Sequence, residues 1–152
     1  MASLKDLMSE LSQRLGMSPL QPDADGIYNL VYDNAVRLRV FEDTAAEEMI
    51  FLSDVIDFPP GGLSATAMRA LLLANFRWAL SARGSFGVQP GTDLVEYALR
   101  EPLPSMTAEK LEVLLKNVIA CILTCRRDLS ASNSAEAAAE APLPINAELL
   151  KG

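Results

Sequence analysis

Leu4, Leu7, Met8, Leu11 and Leu15 recur at helical spacing, with Lys5, Asp6, Glu10 and Arg14 between them. This predicts an amphipathic helix with a narrow apolar stripe. Gly16 stops it, and Pro19 and Pro22 prevent its resumption. The period then shortens to two. In "GIYNLVYD", Tyr28, Leu30 and Tyr32 share a face, and Asp33-Asn34 is a turn signal. In "VRLRVF", Val36, Leu38 and Val40 alternate with Arg37 and Arg39, the mark of a half-buried antiparallel strand. "EDTAAEE" is a solvated loop, and "MIFLSDVI", Met49 to Ile56, is a third and more continuously apolar strand. "DFPPGG" breaks the chain.

Ser64 is placed to cap a second helix running to about Ala82, with Gly84 ending it. "SFGV" and "LVEYAL" are two more strands joined by the "QPGTD" hairpin loop; Val95, Tyr97 and Leu99 alternate with Glu96 and Ala98. Thr107 caps a third helix whose buried face is Leu111, Leu114, Leu115, Val118, Ile119, Ile122, Cys125 and Leu129. Glu109 and Glu112 suit its first turns, and Arg126 and Arg127 its C-terminal end. From Ser130 the composition turns to Ser, Ala, Glu and Pro. The pattern therefore places one domain over 1–129 and a flexible tail over 130–152, dispensable for folding and helical at most around Ala135 to Ala141. Leu143, Ile145, Leu149 or Leu150 are its candidates for docking on the core. The order α-β-β-β-α-β-β-α predicts an α+β domain, a twisted antiparallel sheet with helices packed on it.

The second helix carries more apolar surface than one sheet can cover. On a helical wheel Met68, Leu71, Leu72, Leu73, Phe76, Trp78 and Leu80 spread over roughly 220°, whereas packing on one sheet needs little more than about 100°. The surplus is met either by a second copy of the chain, since symmetric dimers are the commonest oligomers, or by the third helix or the tail.

Composition narrows the function classes. Half of the 152 residues are hydrophobic and the net charge is −7. A packed core is expected, and acidity disfavours nucleic acid and anionic membranes as partners. The N-terminus has no secretory pattern, and the longest apolar run, Val118 to Leu123, is far short of the ~20 residues that span a bilayer. A soluble cytoplasmic protein without membrane insertion is expected. There is no histidine, which removes histidine-based acid–base catalysis. "GSFGVQPG" lacks the Lys-Ser/Thr ending of a phosphate loop. Asp54 and Asp57 read as surface carboxylates. Cys121 and Cys125, four apart on a helix, read as reduced apolar thiols and not as half a metal site. No cofactor, metal or enzymatic activity is expected.

The segments "LGMSPLQPDADGIYNLVYD", "LLLANFRWALSARGSFGV" and "TDLVEYALREPLPSMTAEKLEVLL" resemble, in type and order, the class I type III secretion chaperones. The resemblance covers about Leu4 to Leu129. It implies a non-enzymatic homodimer that binds the N-terminal region of type III effector proteins, wrapped around it in extended form. The secretion ATPase or export gate is implied as a further partner. Carried over by position, Leu72, Phe76, Leu80, Phe86 and Val88 are dimer-interface candidates. Leu11, Leu15, Leu20, Val31 and Leu38 are effector-groove candidates. For each, an ordinary core position is the competing reading. The rival function is a regulator of the same fold that binds a signalling or secretion-apparatus partner.

Overall fold

The computed structural model describes residues 3–76 and 81–140. Ser3 caps the first helix, α1 (Leu4–Arg14), in a reciprocal box with Asp6, and Leu4, Leu7, Met8 and Leu11 are buried. Gly16, at φ +64°, ends it in the left-handed region that only glycine enters cheaply. Buried Ser12 then ties the exit segment back, its Oγ donating to Met8 O and accepting from Leu20 N–H.

Strands β1 (Tyr28–Tyr32), β2 (Val36–Asp43) and β3 (Glu48–Asp57) form an antiparallel meander. Asp33 and Asn34 both take positive φ in the first turn, which Ala35 N–H closes on Tyr32 O. After helix α2 (Ala65–Asn75), β4 (Ser85–Val88) and β5 (Leu94–Pro102) form a hairpin, but β5 inserts beside β3. The sheet order is β1-β2-β3-β5-β4, antiparallel throughout, with β1 and β4 at its edges. Helix α3 (Ala108–Glu140) follows, its first turn capped by Thr107.

One face of the sheet, bearing Val36, Leu38, Val40, Met49, Phe51, Val55, Val95, Tyr97 and Leu99, joins the buried sides of the helices in a single core. The alternation on β2 and β5 is what the sequence predicts. β3 alternates too: Met49, Phe51, Ser53 and Val55 point inward, while Ile50 and Leu52 are half-buried on the other face. There Arg39 lies between Asp54 (3.2 Å) and Glu96 (3.6 Å), and Arg100 between Glu48 and Asp43.

Two sequence expectations need correction. α2 ends at Asn75, not near Ala82: Phe76 is already extended at ψ 113°, and Asn75 is committed to β4, its Nδ2 donating to Phe86 O and its Oδ1 accepting from Phe86 N–H, both at 2.8 Å. Trp78 and Leu80 lie outside the described residues. α3 does not end at Leu129 but continues to Glu140, so the domain boundary at 129 does not mark the end of the helix. Residues 130–140 contain neither Gly nor Pro and are rich in alanine, a composition that extends a helix already nucleated by its packed half. Pro142, Leu143, Pro144, Ile145, Leu149 and Leu150 lie outside the described residues. Among the described residues no helix is long and apolar enough to cross a membrane.

Candidate functional site

A cleft of ≈ 240 Å³ opens between the C-terminal end of α1, the segment after it, the edge strand β1 and one flank of α3. Its walls are almost wholly apolar. Leu11, Leu15, Leu20, Val31 and Leu38, expected in the effector groove, all line it. Leu11 and Leu38 are buried and form its floor, so they are core and wall at once. Leu15 and Val31, 43% and 55% exposed, stand at its lips. Sequence reasoning missed Met17, Tyr32, Leu115 and Ile119 among the lining residues. The α3 pair was legible only as part of a helical stripe wider than one contact requires.

The mouth of the cleft is charged. Glu112 on α3 accepts from Arg14 on α1 (3.1 Å) and from Lys116 (2.7 Å). Lys116, then Arg14, hold its carboxyl below the usual carboxylate range. With one anion between two cations, this trio is net positive on an acidic protein. β1, at the sheet's outer edge, offers its backbone beside the apolar seat.

A larger open depression, ≈ 710 Å³, runs along the other flank of α3 against Ala82 and Arg83. Its lining mixes Arg83, Glu109, Lys110 and Asn117 with Val113 and Leu114. It is roomier than the cleft but less suited to seating apolar side chains. Cys121 lines it too. Burial pushes the Cys121 thiol up to about 11 and that of Cys125 to about 12. Neither is poised as a nucleophile or metal ligand, since either role needs the thiolate. Among the described residues no cluster of three or more potential metal ligands occurs.

The second surface is α2. Ala67, Leu71 and Ala74 face the core, while Met68, Leu72, Leu73 and Phe76 are exposed, Leu72 at 71%. Met68, Leu72 and Phe76 follow one another at i, i+4 spacing, so they form one stripe. Of the expected interface residues, Leu72, Phe76 and Val88 are exposed. Leu80 lies outside the described residues. Phe86 is placed otherwise: it is 4% exposed, its ring 5.1 Å from that of Tyr97, and its backbone is held by Asn75. As a hydrophobe on a short strand, Phe86 could not be told from a surface residue by sequence. Its place beside Tyr97 comes from the β4–β5 register.

Comparison with known proteins adds to this geometry. The fold is shared by chains of several solved complexes, three of them as follows. A chain of the ExsC–ExsE complex matches with TM-score 0.68 and 23% identity, over 84% of this chain and 97% of that one. A chain of the HopA1–SchA chaperone–effector complex matches with TM-score 0.66 and 21% identity, over 81% and 92%. A chain of the complex between the Yersinia pestis type III secretion chaperone SycH and a fragment of YscM2 matches with TM-score 0.64 and 13% identity, over 81% and 99%. A sequence comparison with curated proteins gives no match. Residues 6–126 match the sequence profile of the Tir chaperone protein family. With most of its length inside that match, the chain belongs to the Tir chaperone protein (CesT) family.

Proposed function

We propose that this protein is a cytoplasmic type III secretion chaperone, a homodimer that holds the N-terminal segment of an effector in extended form, soluble and ready for export, without catalysis. The observation that carries the reading is the cleft beside β1. An apolar seat adjoining a sheet edge takes an extended peptide in two ways at once, by side chains in the seat and by backbone hydrogen bonds to the edge. Ordering a disordered segment costs entropy, which a long wrapped contact offsets. Family membership and the resemblance to a chain of a chaperone–effector complex support the same reading.

The dimer is assigned to the exposed stripe of α2, with Leu72 and Phe76 at its centre and Val88 at its margin. Leu15, Val31 and Leu20 are assigned to cargo, with Leu11 and Leu38 supporting them from below. Purification of the tagged chain from its native host, followed by mass spectrometry, tests the reading. An effector recovered through its N-terminal segment supports it. Recovery of a signalling regulator or an export component, with no effector, would replace it with the regulatory alternative.

A further inference from the structure

The N-terminal end of α2 is held by α3. Asn133 donates from Nδ2 to Gly62 O and accepts at Oδ1 from Ser64 N–H, both at 2.7 Å. One turn further along α3, Glu136 Oε2 accepts from Thr66 N–H at 2.8 Å. Ser64 Oγ, the cap itself, accepts from Ala67 N–H at 3.1 Å. The first turn of a helix carries N–H groups with no partner inside the helix. Here two such groups at the start of α2 are met by α3. The Glu136 carboxylate also sits where the helix dipole favours an anion, and Thr66 above all holds it below the usual carboxylate range. At its other end α2 is pinned to β4 through Asn75. Met68, Leu72 and Leu73 of the exposed stripe lie between these two anchors, and Phe76 follows directly on the second. The family match stops at residue 126, and α3 runs on to Glu140, so Asn133 and Glu136 belong to a part of the chain outside that match.

We propose that residues 130–140 are a strap that fixes the orientation of α2 before pairing, and that Asn133 and Glu136 are positioning residues for the interface between two copies of this chain. The second clause rests on the dimer reading above. An isolated helix of eleven residues is marginal in water. None of the described residues buries the half of α2 that would pair, where Met68, Leu72 and Leu73 are exposed, so packing among them does not hold that side. Anchored at both ends, α2 presents a preformed surface, and association is spared the entropy of ordering it.

The test uses the full chain carrying Asn133→Ala with Glu136→Ala, and separately Glu136→Gln, which keeps an acceptor oxygen but loses the charge. Amide hydrogen exchange and sedimentation equilibrium are measured on each. The double variant is expected to speed exchange at Ser64 and Thr66 at least about tenfold and to weaken the dimer by about tenfold, close to 1.4 kcal/mol. Exchange in α1 and β1 should stay unchanged. Glu136→Gln should recover part of both effects. Unchanged exchange at Ser64 and Thr66 overturns the strap. Faster exchange with an unaltered dimer constant overturns its role in the interface. A wild type that is monomeric overturns the dimer reading itself, while exchange in the same samples still decides whether the strap exists.

Discussion

Leu72→Glu is the sharpest probe of the α2 surface. Leu72 is 71% exposed in the protomer, so the substitution removes little that the fold depends on. Full burial of a leucine contributes about 1.5–3 kcal/mol, so about 1–2 kcal/mol remains to be gained when a partner covers this one. In a two-fold interface the residue occurs twice, and the loss becomes about 2–4 kcal/mol per dimer. At tenfold per 1.4 kcal/mol this is a rise of roughly 30- to 1,000-fold in the dissociation constant, before any cost of burying an unpaired carboxylate. Light scattering across the micromolar range should show a monomer, while circular dichroism shows an intact fold. Phe86→Glu is the contrast: that ring is already packed on Tyr97, so the variant should unfold and not merely dissociate. A Leu72→Glu protein that dimerises as tightly as wild type, or a wild type that is monomeric at micromolar concentration, refutes the reasoning.

Three further outcomes are expected. Leu15→Asp, at the lip of the cleft, should keep the dimer and weaken recovery of cargo in a pull-down; undiminished recovery would move the binding site elsewhere. Gly84→Ala should destabilise the fold by about 1–3 kcal/mol in urea titration, because a Cβ there overlaps the Tyr97 ring and lies 2.6 Å from Ala98 O. Labelling of Cys121 and Cys125 by a disulfide reagent at pH 8 should be more than about tenfold slower in the native protein than in urea, since burial leaves roughly a thousandth or less of either thiol ionised; equal rates would show that the thiols are not buried.

Elements with a strong period were legible in the sequence. The α1 stripe, the Val36-Leu38-Val40 alternation and the Val95-Tyr97-Leu99 alternation each follow from local spacing and appear as expected. Helix ends were less legible. The apolar run through Phe76 and beyond hides the end of α2, because the stop is an Asn75 side chain reaching a strand that lies eleven positions on. The Ser- and Ala-rich run after Leu129 looked like tail because polarity suggests solvent, yet its Asn133 and Glu136 have partners some seventy positions away. The cleft was half legible. Its α1 and β1 walls came from family resemblance, while Leu115 and Ile119 entered through the packing of α3 against α1, which no local pattern encodes.

The insertion of β5 between β3 and β4 has a kinetic consequence. The β1-β2-β3 meander and the β4-β5 hairpin each join neighbours in sequence, and local pairings of this kind close quickly. The seam between the two halves is different. It pairs Asp57 with Leu94 and Glu48 with Pro102, across separations of 37 and 54 residues, and the intervening chain holds α2. Loop closure makes this seam the slow step, so substitutions along it such as Phe51→Ala and Leu99→Ala should retard refolding in stopped-flow, whereas Leu30→Ala on β1 should mainly hasten unfolding. α3, which holds the start of α2, packs on β2 and β3, whereas β4, which holds its end, joins them only through that seam, so α2 gains both anchors together only when the seam has zipped. A half-folded chain has no fixed stripe to offer a second copy, and assembly waits on completion of the sheet.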